Sequence, residues 1–138
     1  MKVLAVDFGS RRVGLAVGDT VTRVASPLAL VESSRQQEVL AEILRRVAEY
    51  GVERIVVGYP LNMDGSQGPA CAAVDRFVGF LRKRVAVPVS RVDERLSSFA
   101  AEEMGRKIEG DFRKRRKFLD SVAAQVILER FFEKEIER

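Results

Sequence analysis

The chain has 138 residues, of which 46% are hydrophobic and 32% are charged, the size and balance of one globular domain with its own core. It contains no histidine and a single cysteine, Cys71. These counts exclude imidazole-dependent nucleophiles, zinc sites built from histidine or thiolates, and an internal disulfide. Any chemistry must therefore come from carboxylates, lysine, tyrosine or a hard metal ion.

The net charge of +4 is concentrated in one stretch of the sequence. Residues 105–118 (GRKIEGDFRKRRKF), here called the basic segment, hold seven basic and two acidic residues and carry +5, which leaves −1 for the rest. Such a patch favours a polyanionic partner, although a solvated loop has the same composition. The chain shows neither a signal peptide nor a membrane-length apolar run, so we expect a cytoplasmic protein without membrane association.

Three strands in succession are predicted first, and helices that alternate with strands follow them. Short connections between the first three strands indicate an antiparallel meander, and the later, uniformly apolar strands are typical of parallel strands covered on both faces. The predicted elements are strands Val3–Phe8, Val13–Val17 and Val21–Val31, a helix capped by Ser33 or Ser34 and ended by Gly51, strand Arg54–Gly58, a loop over Tyr59–Pro69, helix Ala70–Arg84, strand Val87–Val92, a helix capped by Ser97 or Ser98, and a last helix Lys117–Glu135.

This order predicts an α/β fold in one domain over residues 1–138. The sheet is expected to be mixed and five-stranded, with three antiparallel strands followed by two parallel ones, and with helices on both faces.

Three acidic positions lie in places that are unusual for a carboxylate. Asp7 is late in an otherwise aliphatic strand, where either a cation or the amides of the following Gly-Ser turn must compensate its charge. Asp93 and Glu94 follow a parallel strand, at the edge where ligands collect in such sheets, or they simply begin a loop. Asp120 shares a helical stripe with Ala124 and Ile127, or it caps that helix.

These acids form one ligand site if they lie near the same end of the sheet. Oxygen ligands without histidine or cysteine suit a hard cation, which predicts Mg²⁺ or Mn²⁺ as the cofactor.

Four ordered motifs resemble the YqgF (RuvX) family of the RNase H-like superfamily, described as nucleases that mature pre-16S rRNA and earlier as Holliday junction resolvases. They are AVDFGSRRVGLAVGD at 5–19, IVVGYPLNMDGS at 55–66, VDERLSS at 92–98 and LDSVAAQVIL at 119–128. The resemblance implies an RNase H-like fold and an endonuclease whose catalytic, metal-ligating acids are Asp7, Glu94 and Asp120. One or two Mg²⁺ or Mn²⁺ ions would then activate water for attack on a phosphodiester.

The same resemblance suggests which residues hold the substrate. Asp93 would lie behind the metal-ligating acids and help to hold them in position. Arg95 would pair with phosphate or with the neighbouring acids. Asn62 and Asp64 would border the cleft. The basic residues expected to follow the nucleic-acid backbone are Arg113, Lys114, Arg115, Arg116 and Lys117.

Several alternatives stay open at this stage. The nuclease could act on RNA or on structured DNA, as a monomer or as a homodimer that presents two sites to a four-way junction. A non-catalytic nucleic-acid-binding module is a further alternative, which the three acids disfavour because buried acids do not help to bind phosphates. The first motif also resembles a phosphate loop of the actin and sugar-kinase superfamily, but that ATPase arrangement needs two domains.

Overall fold

The computed structural model describes residues 1–9, 11–33, 35–93 and 122–133. Its elements in chain order are β1 (Lys2–Phe8), β2 (Val13–Asp19), β3 (Ala25–Val31), α1 (Gln36–Tyr50), β4 (Arg54–Tyr59), α2 (Pro69–Arg82) and β5 (Val89–Asp93). Residues 122–133 are also helical and are called the C-terminal helical segment. The predicted helix after Ser97 or Ser98 and the start of the last predicted helix at Lys117 lie outside the described residues.

One five-stranded sheet, in the order β3-β2-β1-β4-β5, organises these elements. The β1–β2 and β2–β3 pairs are antiparallel, whereas β1–β4 and β4–β5 are parallel. The mixed sheet predicted from the sequence is therefore confirmed. Strand β1 is central, and the carboxyl ends of β1, β4 and β5 meet at one edge of the sheet.

Each face of the sheet has its own hydrophobic cluster, because side chains alternate along a strand. Leu4 and Val6 of β1 face α1 and α2 and belong to a cluster that includes Ile43 and Phe77. Val3 and Ala5 face the other way, toward the C-terminal helical segment. That second cluster contains Val3, Ala5, Ala16, Val56, Val92, Ala124, Ile127, Leu128, Phe131 and Phe132. Helices thus cover both faces, as predicted.

The third strand is shorter than the predicted Val21–Val31, because a turn occupies its first residues. An Asp19 carboxylate oxygen accepts the Val21 amide at 2.7 Å, and the Asp19 carbonyl accepts the Arg23 amide at 2.7 Å. Arg23 adopts a left-handed conformation with φ 60°. Aspartate favours such local turns, and β3 begins only at Ala25.

The predicted serine cap of the first helix is wrong for Ser33. The N-cap position of α1 is Arg35, without a side-chain cap, and the Ser33 hydroxyl instead accepts the Arg35 amide at 3.1 Å in a local turn. Ser34 lies outside the described residues. The predicted end at Gly51 is confirmed, since this glycine has φ 64° and its amide reaches the Val47 carbonyl, the usual left-handed helix end.

Smaller differences of one or two residues affect several other bounds. Strand β4 extends one residue beyond Gly58, to Tyr59, and α2 ends at Arg82 rather than Arg84. Strand β5 begins at Val89 rather than Val87, because Pro88 has no amide hydrogen to donate to the ladder. Within the described residues, no helix combines the length and apolar character needed to cross a membrane.

The C-terminal helical segment packs against β2 at Gly18, where there is no room for a side chain. A Cβ atom at this position would lie 2.7 Å from Leu128 Cδ2 and 2.8 Å from both Phe132 Cζ and the Val24 carbonyl oxygen. The absence of a side chain at Gly18 thus allows the helix to pack closely on this face of the sheet.

We predict that Gly18→Ala destabilises the protein by about 1–3 kcal/mol, the usual cost of overpacking a core. Gly79→Ala is the matched control, because a Cβ atom there meets nothing within 4 Å and alanine favours a helix by about 1 kcal/mol over glycine. Urea denaturation measures both variants. Equal stability of Gly18→Ala and the wild type would contradict this packing.

Candidate active site

Asp7 is the last-but-one residue of β1 and lies at the edge where the parallel strands end. It is only partly buried, in contrast to the fully buried residues from Val3 to Val6. Alternation along β1 places it on the face of Val3 and Ala5, the face that carries the C-terminal helical segment. The carboxylate therefore stands at the boundary between the core and the open edge.

Both strands beside Asp7 carry a glycine at its level. Gly14 of β2 is its antiparallel partner, and Gly58 of β4 is one residue beyond the Val6–Val57 pair. Neither neighbour contributes a side chain. The Asp7 carboxylate is thus not shielded by adjacent strand residues, an arrangement that suits the approach of an ion and a phosphate group.

A tight turn follows β1 and leads directly into β2. The Gly9 amide donates to the Arg12 carbonyl at 3.0 Å, so this amide serves the turn rather than the Asp7 carboxylate. A Cβ atom on residue 9 would lie 2.7 Å from the Arg12 carbonyl oxygen, which explains the glycine. Phe8 packs on the opposite face, stacked on Phe77 with ring centroids 4.2 Å apart.

Asp93 ends β5 at the same edge as Asp7, but alternation assigns it to the other face. Val89 belongs to the cluster under α1 and α2, whereas Val92 belongs to the opposite cluster. Asp93 comes four residues after Val89 and therefore shares its face of the sheet. The backbone at this point contacts the C-terminal helical segment, since Arg130 Nη1 lies 3.5 Å from the Asp93 carbonyl oxygen.

The loop after β4 is closed by its own side chains. Ser66 donates from its amide and its hydroxyl to the same Asp64 carboxylate oxygen, at 2.9 and 2.6 Å. The Asn62 side chain donates to the Ser66 hydroxyl at 2.9 Å. Asn62 and Asp64, both predicted to border the cleft, therefore shape a loop that rises from the carboxyl end of β4.

A polar cluster on the α2 face lies where β4 and β5 end. The Tyr59 hydroxyl donates to Asp75 at 3.0 Å, and Arg91 forms an ion pair with the same carboxylate and lies 5.2 Å from the centre of the Tyr59 ring. Burial, followed by the hydrogen bond to Asp75, raises the pKa of Tyr59 above its ordinary value of 10.0. This cluster joins α2 to the end of the sheet.

Most of the predicted site residues lie outside the described part of the chain. Only Asp7, Asn62, Asp64 and Asp93 can be located, and among described residues no three metal-ligating side chains gather. The predicted residues beyond this part are Glu94, Arg95, Arg113, Lys114, Arg115, Arg116, Lys117 and Asp120.

Sequence reasoning did not identify the glycines that flank Asp7 or the Tyr59 cluster. The glycines follow from strand register, which single-sequence patterns do not specify. Asp75 occupies a polar position beside the buried stripe of Val74 and Val78 on α2. Charged residues beside a buried stripe occur on most surface helices, so the sequence alone does not distinguish Asp75 from them.

The order and direction of the strands, helices on both faces and an acid at the end of the central strand define an RNase H-like α/β fold. RuvC of T. thermophilus, solved with a Holliday junction substrate, matches with a TM-score of 0.60 at 19% identity, over 99% of this chain and 96% of that one. A fowlpox virus resolvase, solved with Holliday junction DNA, matches with a TM-score of 0.56 at 14% identity over the whole of both chains.

The family is established by sequence. The model described as "RuvX: Holliday junction resolvase" matches residues 1–134. A Chloroflexus aggregans protein named "Putative pre-16S rRNA nuclease" is 42% identical over 131 residues, 95% of this chain and 92% of that protein. One of the same name from Geobacillus kaustophilus is 38% identical over 135 residues, 96% and 98% of the two chains. The chain belongs to the RuvX family, a family of nucleases.

We predict that stability falls above about pH 10 and that Tyr59→Phe weakens this fall. The raised pKa of Tyr59 means that the folded state keeps its phenol proton, while the unfolded chain releases it near pH 10. The stabilisation that Tyr59 contributes is complete at pH values below its pKa in the unfolded chain. It is lost as the pH rises toward the higher pKa of Tyr59 in the folded state. Urea unfolding between pH 8 and 11, the range that brackets this titration, measures both proteins, and parallel profiles would contradict the assignment.

Proposed function

We propose that the chain is a single-domain, cytoplasmic, metal-dependent endonuclease that hydrolyses RNA phosphodiesters and matures the 5′ end of pre-16S rRNA. One observation carries the catalytic part. Asp7, partly buried between two glycine-bearing strands, is the last-but-one residue of the central strand, at the edge where parallel strands place ligands. The names of the sequence relatives support the choice of RNA and of pre-16S rRNA.

Glu94 is proposed as the second catalytic acid, in preference to Asp93. Side chains of β5 alternate, with Val89 under α2 and Val92 on the Asp7 face. The same alternation gives Asp93 the α2 face, and one further residue would return to the face of Asp7. The acid that best complements Asp7 is therefore Glu94, which follows β5 directly.

Asp120 is proposed as the third acid because of the helical stripe it precedes. Ala124, Ile127 and Phe131 are buried against the sheet face that carries Asp7. Asp120 stands four residues before Ala124 and seven before Ile127, the spacing of one helical face. Continuing that face toward the start of the helix would direct Asp120 to the same side of the sheet.

The donor set fits a hard divalent cation, since it consists of carboxylates alone. Asp7, Glu94 and Asp120 would hold one or two Mg²⁺ or Mn²⁺ ions. When bound, such an ion lowers the pKa of a coordinated water and neutralises charge on the phosphodiester. Asn62 and Asp64 would border the substrate cleft. The side chains that would hold the nucleic acid are those of Arg95, Arg113, Lys114, Arg115, Arg116 and Lys117.

A structured DNA substrate is the second candidate, favoured by one finding. The structurally similar resolvases were solved with Holliday junctions. Two cuts across a junction would require a homodimer, whereas trimming of RNA is compatible with a monomer.

We predict that Asp7→Asn, Glu94→Gln and Asp120→Asn each slow Mg²⁺-dependent cleavage of a precursor 16S rRNA fragment by about 100-fold or more, because each removes a ligand. Asp19→Asn is the matched control. It makes the same substitution at the opposite end of the sheet, beside Lys2, and should cleave at the wild-type rate.

Gel assays on the precursor fragment and on a four-way DNA junction, with Mg²⁺ or Mn²⁺, measure these rates side by side. Full activity of Asp7→Asn would contradict the proposed site. Cleavage of the junction alone would replace RNA by DNA as the substrate.

We also predict that neutralising Arg115, Arg116 and Lys117 to glutamine weakens RNA binding and its salt dependence. Each lost phosphate contact lowers the slope of log affinity against log salt by about 0.7 on a single strand, or about 2 for three contacts. Lys83→Gln with Arg84→Gln, at the far end of α2, is the control. An unchanged slope in the triple variant would mean that the segment is only solvated.

A further inference from the structure

We infer that Arg11, in the turn between β1 and β2, binds a backbone phosphate of the nucleic acid beside the catalytic carboxylates. This inference deepens the proposed function and rests on it. It assigns a substrate-binding role to a residue outside the basic segment.

The turn sets Arg11 close to the site. Phe8 pairs with Val13 and Asp7 pairs with Gly14, so the chain reverses direction between Phe8 and Val13, at the end of the hairpin. Arg11 follows Asp7 by four residues and projects from the same edge of the sheet. A phosphate group held there would belong to a nucleotide near the scissile bond.

A backbone hydrogen bond links the two ends of this turn, Gly9 and Arg12. Gly9 donates to the Arg12 carbonyl at 3.0 Å, and the Gly9 Cα packs so closely on that carbonyl that no Cβ atom fits. A side chain on a rigid turn loses less conformational freedom on binding than one on a mobile loop. Arg11 thus lies between two residues that are joined by a hydrogen bond, four positions after Asp7 in the chain.

Arg11 is exposed, and across residues 1–9, 11–33, 35–93 and 122–133 no acidic side chain pairs with it. Several other arginines are held by protein groups: Arg45 and Arg46 by Glu42, and Arg91 by Asp75. Arg54 and Arg82 donate to neutral oxygens, the Ser90 hydroxyl and the Val89 carbonyl. A guanidinium group presents a planar set of donors that matches two phosphate oxygens.

Charge balance at the edge supports the same assignment. A phosphodiester that approaches Asp7 meets a carboxylate, and like charges repel. A cationic side chain four residues away offsets part of this repulsion, in addition to any metal ion. The phosphate contact would be independent of base sequence.

The test is fluorescence anisotropy with a short labelled RNA that spans the 5′ cleavage region of precursor 16S rRNA, over a range of salt concentrations. EDTA removes divalent ions, so the RNA stays intact. We expect Arg11→Gln to bind about tenfold more weakly at low salt, with the slope of log affinity against log salt reduced by about 0.7.

Arg23→Gln is the matched control. Arg23 is also an exposed arginine in a hairpin turn, but its turn joins β2 to β3 at the opposite end of the sheet. Both variants change the net charge equally, so a general charge effect would weaken both. We expect the control to keep the wild-type affinity and slope.

Three results would overturn the inference, and they differ in what they say of the proposed function. If wild-type protein binds and cleaves the RNA and Arg11→Gln matches it in slope and affinity, Arg11 has no phosphate contact while the nuclease assignment stands. Equal weakening of Arg11→Gln and Arg23→Gln would indicate net charge rather than a site. Absence of RNA binding by the wild type would overturn both proposals.

Discussion

Alternation of side chains along β1 is the constraint on which the site depends. Leu4 and Val6 fill the core under α1 and α2, and Val3 and Ala5 fill the core under the C-terminal helical segment. The two clusters together fix the register and depth of the strand. Asp7 then falls at the carboxyl edge, on the face of Val3, and a slip of one residue would move it to the other face. Burial of apolar side chains thus orients a charged one.

The proposed chemistry follows from what surrounds that carboxylate and from what the chain lacks. Without histidine, neither an imidazole base nor an imidazole metal ligand is available, so carboxylates would be the ligands of the proposed hard cation. Gly14 and Gly58 leave the flanks of Asp7 without side chains. Cationic groups of the β1–β2 turn and of the basic segment would hold the phosphates. In the proposed site the acids would hold the metal ion and the cationic groups would hold the phosphates.

Much of the fold could be predicted from local patterns. Strand and helix periods, the Gly51 helix end and the succession of antiparallel and parallel strands followed from residues close in sequence, and membership of the RuvX family followed from four motifs. The predicted start of β3 was wrong because residues such as Val21, which favour a strand, belong to the turn that the Asp19 carboxylate stabilises. The glycines beside Asp7 depend on register between distant strands, which no local pattern reports. Glu94 and Asp120 stay predictions from sequence.

The central claim is that Asp7 is a ligand of a catalytic divalent cation. Calorimetric titration with Mn²⁺ tests it directly, because it measures binding without nucleic acid or turnover. The account predicts that the wild type binds Mn²⁺ and that Asp7→Asn loses most of that affinity while its unfolding midpoint in urea is unchanged. Equal Mn²⁺ affinity of the two proteins would contradict it.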